Sequence, residues 1–195
     1  VGGTGNWSST TKWSTASGGA SGAAIPTSFD SVVFDSASNA TAYTATIDPT
    51  QARCAALTVA GPASGNLTLA GTGGLACHGS VTLPATGLTR TYNGNLTFTG
   101  STTGKTITTN GVTISSVIDV NGIGCEWNLG SAFNNATNFT VTNGTLKCST
   151  YNFSAVNITS NSNNDRTIDF GSSTVTCSGN IAFGTTVPEL SLIHI

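Results

Sequence analysis

Gly65-Asn66-Leu67-Thr68-Leu69-Ala70-Gly71 sets out the grammar of this chain: an apolar residue, a threonine, a second apolar residue, then small turn-forming residues. The same word stands at Leu57-Thr58-Val59, Val81-Thr82-Leu83, Leu96-Thr97-Phe98, Val112-Thr113-Ile114, Phe139-Thr140-Val141 and Val175-Thr176-Cys177. Successive side chains on an extended strand point to opposite faces, so each copy turns two apolar groups one way and a hydroxyl the other. The chain reads as a stack of short strands with a dry inside and a hydroxylated outside. Glycine and asparagine between the copies mark the turns. No segment keeps the 3.6-residue apolar period of a helix, so helices are expected to be rare.

Longer likenesses organise the words into repeats. Gly65-Asn66-Leu67-Thr68-Leu69 returns as Gly94-Asn95-Leu96-Thr97-Phe98 and as Gly179-Asn180-Ile181-Ala182-Phe183, and the segment 75–83 matches 175–183 in its apolar, Cys and Gly positions. Repeats of this length point to a solenoid. Cysteine spacing gives the beat: 23 residues separate Cys54 from Cys77, and 23 separate Cys125 from Cys148. The expected fold is all-β, a single-stranded right-handed parallel β-helix with about 23–25 residues and three short strands per coil. Equivalent cysteines would then be inward neighbours about 4.8 Å apart, as stacked thiols or as disulfides Cys54–Cys77 and Cys125–Cys148. Five cysteines leave one over, and burial as small apolar groups is the simpler state. Asn-Gly at Asn93, Asn110, Asn121 and Asn143 is a hairpin signal, which makes an antiparallel sandwich or meander the competing fold.

Composition narrows the classes of function. Only 7% of the 195 residues are charged and the net charge is −2, so no basic stripe exists to neutralise phosphates and no nucleic-acid partner is expected. No apolar run approaches the roughly 18 residues that span a bilayer, and membrane insertion is not expected. The chain divides into a Trp-containing cap-like segment at 1–40, solenoid repeats at 41–189, and a tail at 190–195 that resembles a translated sequencing adapter and is expected to be non-native. With no methionine in it, the chain reads as a fragment of a longer product. In the cap, Trp7 and Trp13 are expected to plug the open end of the core, with a sugar-stacking platform as the functional alternative.

Candidate chemistry is thin. Asp165 and Asp169 share strand parity beside Arg166, and Glu126 lies between inward Cys125 and Trp127. If the chain were an enzyme, these three acids would be the first to test, since glycosidic acid/base chemistry needs two carboxylates. Solvated turn acids explain them more simply. Cys77-His78 cannot act as a nucleophile and its base, because neighbours on a strand point apart. No ligand spacing suggests a metal, and no cofactor fingerprint occurs.

The opening residues 2–14 (GGTGNWSSTTKWS) and 17–35 (SGGASGAAIPTSFDSVVFD) resemble a segment near the start of repetitive β-rich surface proteins of bacteriophages and environmental bacteria, tail-associated or adhesin-like. Residues 65–71 and 103–114 carry a looser likeness. The resemblance implies a structural or adhesive module on a virion or at a cell surface. Its expected partners are a host-cell surface glycan or other virion and surface proteins, with self-association open. It carries over no catalytic residue. A β-helix enzyme acting on polysaccharides and a carbohydrate-binding module are the alternatives from other classes.

Overall fold

In a computed structural model, residues 2–184 and the backbone of the strand Leu190–Ile193 are described. Every pairing between strands in this description is parallel, and the apolar-Thr-apolar words lie on one another in register. Leu57 aligns with Val81 and Thr58 with Thr82, and Leu67 aligns with Leu88 and Thr68 with Thr89. The chain is a parallel β-solenoid of about seven turns.

Each turn lays one strand on each of three faces. The first face holds Gly5–Asn6, Tyr43–Thr46, Leu67–Ala70 and Leu88–Arg90, and resumes through the Ile114–Asn135 bridge with Phe133–Asn134, Phe153–Ala155 and Val175–Cys177. The second holds Gln51–Cys54, Gly74–Cys77, Leu96–Phe98, Asn157–Ser160 and Ile181–Phe183, and the third Val32–Phe34, Leu57–Val59, Val81–Thr82, Lys105–Thr108, Arg166–Asp169 and Leu190–Ile193. Two long strands, Ile118–Leu129 and Asn138–Lys147, run through the corner from the second face to the third.

Those long strands dispose of the hairpin reading. Asn121-Gly122 and Asn143-Gly144 lie inside single strands, where they bend the chain without reversing it. Gly144 takes φ +89°, and a Cβ there would strike the Cys125 sulfur and the Gly122 carbonyl. Positive φ and close approach both call for glycine, so here the dipeptide serves a corner.

Turn length varies more than the cysteine beat suggests. The step from Val81 to Ile107 takes 26 residues, whereas Phe139 to Ile158 takes only 19. Strand positions stay constant while corners lengthen or shorten. This corrects one of the two expected cysteine pairs. Cys54 does align with Cys77, with the sulfurs 3.7 Å apart and both thiols free. Cys125 and Cys148 do not stack, because the short turn aligns Trp127 with Leu146. That register sets Cys125 level with Gly144 and Cys148 level with Leu129.

The interior is a set of apolar columns. Val32, Leu57, Val81, Ile107 and Leu129 succeed one another on the third face, and Leu75, Leu96, Ile118, Phe139 and Ile158 on the second, all buried. Each such side chain contributes about 1.5–3 kcal/mol by leaving water. In the later turns Phe133 stacks on Phe153 at 5.6 Å, while Phe139 meets Phe153 edge-on at 4.9 Å.

At the N-terminal end, Gly5–Asn6 pairs with Ala45 and Thr46, and Val32–Phe34 with Leu57–Val59. These strands inside 1–40 already belong to the first turn. The excursion between them, residues 7–31, covers the column. Trp7 is 2% exposed and meets Trp13 edge-on at 5.0 Å, and the Trp13 indole N–H donates to the Trp7 carbonyl at 2.7 Å. A sugar platform needs an open indole face, and Trp7 offers none. Of the expected tail 190–195, Leu190–Ile193 pairs with Arg166–Asp169, and residues 194 and 195 lie outside the described residues.

Candidate functional site

At the corner between the second and third faces neighbouring turns differ sharply in length, and the difference makes a groove. In the turn of Asn138–Lys147 the corner is tight, since Asn143 and Thr145 bracket a single glycine. In the turn before it, Asn121 aligns with Asn143 but Glu126 with Thr145, so the four residues from Gly122 to Cys125 stand opposite Gly144 alone and the exposed Ile123-Gly124 between them bulges outward. In the turn after it, residues 161–165 form a second protruding loop between Asn157–Ser160 and Arg166–Asp169. The walls are two rungs apart, about 10 Å at about 4.8 Å per rung.

The groove has a volume of about 560 Å³, with Asn143, Gly144 and Thr145 on its floor, Ile123 on one wall and Asn163, Asn164 and Asp165 on the other. Ile123 is 81% exposed. An isoleucine held out to solvent between two glycines has no part in the core.

A buried cation holds the second wall upright. Arg166 begins its strand with the side chain turned inward and is 3% exposed. Its Nε donates to Ser160 Oγ at 2.6 Å, Nη2 to the Ser160 carbonyl at 3.1 Å, and Nη1 to the carbonyls of Ser162 and Asn164. The planar fork of donors matches this ring of loop oxygens. Ser162 Oγ and Asn164 Nδ2 then donate to the Thr142 carbonyl, tying loop to floor. Lys105 performs the same service three turns earlier. Its Nζ donates to the carbonyl of Thr99, six residues back as Ser160 is from Arg166, and lies 5.0 Å from the centre of the Trp127 ring.

Of the acids singled out from the sequence, the structure brings only Asp165 into the groove. Glu126 lies beside it on the third face, where Lys147 Nζ at 2.6 Å and Asn128 hold its carboxyl below the usual range. Asp169 accepts from the Gly171 N–H at 2.9 Å. Four residues of extended chain separate Asp165 from Asp169 by about 13 Å, beyond the roughly 5–9.5 Å of paired glycosidase carboxylates. Arg166 does not join them, because it faces inward. His78 is also removed from Cys77: its imidazole pKa is lowered by burial and by Arg53 and Lys105, while Cys77 hydrogen-bonds with Cys54 inside the core. Among the described residues no group of three or more His, Cys, Asp and Glu side chains could hold a metal, and no helix is long and apolar enough to cross a membrane.

The chain matches no family model, no curated protein and no solved structure.

The groove can therefore do what amides, hydroxyls, one carboxylate and one aliphatic group can do, which is to hold a ligand rich in hydrogen-bonding groups and poor in charge. Ile123 escapes sequence reading because it resembles ordinary turn material, and Asn143 is misplaced by it because its Asn-Gly pair reads as a hairpin. The usable signal was Gly122-Ile123-Gly124, an aliphatic residue isolated between glycines and outside the strand alternation.

Proposed function

We propose that the chain is a structural or adhesive β-solenoid module of a phage tail-fibre-like or cell-surface protein, and that the corner groove contacts a neutral surface glycan. The observation that carries this reading is the lining of the groove. Asn143, Asn163, Asn164, Thr145 and Thr167 present neutral donors and acceptors, Asp165 adds a single charge, and Ile123 supplies an apolar edge. Sugars offer the complementary mixture of hydroxyls and C–H faces. A parallel stack also suits an adhesin mechanically, since each turn pairs its backbone with the next and carries the groove on a preformed frame. The resemblance of residues 1–38 to tail-associated and adhesin-like proteins supports the same setting.

The test is binding to a panel of neutral and acidic polysaccharides by glycan array, followed by titration calorimetry. Retention of neutral polysaccharides, weakened at least tenfold by Ile123→Asp and by Asn163→Ala, is the expected result. No binding, or binding indifferent to both changes, overturns the groove as the contact. Release of reducing ends that disappears when Glu126, Asp165 and Asp169 are all changed to alanine would instead make the protein a polysaccharide-cleaving enzyme.

A further inference from the structure

We infer that Cys54 and Cys77 are the site of a covalent staple between two successive turns, a disulfide when the chain folds under oxidising conditions and a thiol pair when it folds under reducing ones. The two residues lie in register on the parallel strands Gln51–Cys54 and Gly74–Cys77, with their sulfurs 3.7 Å apart and both side chains fully buried. In-register residues on neighbouring strands are about 4.8 Å apart, inside the roughly 4.4–6.8 Å between Cα atoms that a disulfide spans. Main-chain bonds fix that spacing on both sides of the pair: the Gly74 N–H donates to the Thr50 carbonyl at 3.0 Å and the His78 N–H to the Cys54 carbonyl at 2.9 Å. Side-chain rotation brings the sulfurs to the bonded distance of about 2.0 Å with no change of register.

Register also makes the pair selective. Among the described residues, which include all five cysteines, only these two occupy neighbouring positions of one column, and Phe98 continues that column on the far side of Cys77. Cys125 stands opposite Gly144, four residues along the strand from Cys148, and Cys177 aligns with Ala155. Four residues of extended chain measure about 13 Å, well beyond the reach of a disulfide.

The cross-link needs a two-electron oxidant, and a small disulfide such as oxidised glutathione supplies it. The Cys54 thiolate attacks one sulfur of that molecule and expels one glutathione thiolate. The Cys77 sulfur, its proton lost to solvent, then attacks Cys54 Sγ and expels the second. One sulfur–sulfur bond forms in the chain, one breaks in the oxidant, and the chain loses two hydrogens. Glutathione does not fit a closed core, where the hydrogen bond with Cys54 and burial keep the Cys77 thiol protonated. The exchange therefore belongs to folding, before the turns close over the pair. The finished bond spans one whole turn, 23 residues from Cys54 to Cys77, and stabilises the fold by restricting the unfolded chain. No residue of the corner groove takes part, so the inference stands apart from the adhesive reading.

Refolding the full chain either in a glutathione redox buffer or in excess reductant, followed by mass-spectrometric mapping of unreduced peptides and by thermal melts, tests this. The oxidised protein is expected to carry a Cys54–Cys77 link, with Cys125 and Cys148 recovered as thiols on denaturation, and to melt about 5–10 °C above the reduced protein. Cys54→Ala is expected to lose both the link and the redox dependence of melting. Free thiols at both positions after oxidative refolding, either cysteine joined to a different partner, or oxidised and reduced wild-type proteins of equal melting temperature would each overturn the inference.

Discussion

Cys54 and Cys77 lie in register on adjacent turns with their sulfurs 3.7 Å apart, both fully buried and both free thiols. Hydrogen bonding to Cys54 and burial push the Cys77 thiol well above its ordinary pKa. Cys148, buried with Asp169 nearby, is pushed up to about 12. The Cys77 and Cys148 thiols stay protonated in the folded chain while the same two groups ionise in the unfolded chain above about pH 8.5. A raised folded pKa gives stability that is complete below the unfolded value and is lost as pH rises towards the folded one. Denaturant unfolding should therefore show constant stability near neutrality and a decline above about pH 9, by up to about 1.4 kcal/mol per pH unit for each such thiol. Stability that is flat to pH 11 would contradict this.

Thiol accessibility offers a second check. Cys177 is half-buried at the end of the rod, whereas Cys54, Cys77, Cys125 and Cys148 are buried in it. Under native conditions and at low protein concentration, an aromatic disulfide reagent should label one thiol quickly and the rest only on the timescale of unfolding. Mass mapping should place the fast label on Cys177.

The inward and outward rows predict opposite responses to charge. Leu69 and Leu83 are buried in the columns, while Thr68 and Thr82 face out. Leu69→Asp or Leu83→Asp is expected to abolish cooperative melting, since Leu→Ala at such sites already costs about 2–5 kcal/mol and a buried carboxylate costs more. Thr68→Asp or Thr82→Asp should change stability by no more than about 1 kcal/mol. Thermal melts followed by circular dichroism decide the matter.

The corner depends on two residues with different roles. Gly144→Ala should destabilise by more than about 1 kcal/mol, because the left-handed backbone and the Cys125 sulfur both oppose a Cβ. Arg166→Met should cost about 2–4 kcal/mol by leaving the Ser160, Ser162 and Asn164 carbonyls short of a donor. Arg166→Lys should recover little of that loss, since a single ammonium cannot reach the whole ring of oxygens. Hydrogen exchange should localise the damage from both Arg166 variants to residues 160–166.

The parts of this structure legible beforehand are those written in a local code. Alternation of apolar residue and threonine assigns Leu67, Leu69, Val81 and Leu83 to the interior without reference to anything distant, because the two-residue period belongs to the strand itself. Outward placement of Glu126 and Asp119 follows in the same way.

What stacks on what is another matter. Cys125 and Cys148 keep the same spacing as Cys54 and Cys77, yet only the earlier pair meets, because register accumulates the length of every corner between two positions. Asn143-Gly144 is spelled like a hairpin and used as a bend, a choice made by the parallel neighbours on either side. The groove is likewise a property of three successive turns of unequal corner length, and Arg166, adjacent to Asp165 in sequence, is sent inward by strand parity. Sequence alone determined a solenoid with a dry inside and a hydroxylated outside. Tertiary structure decided which residues share a site, because corner lengths and the contacts between turns are set by packing that no short stretch of chain contains.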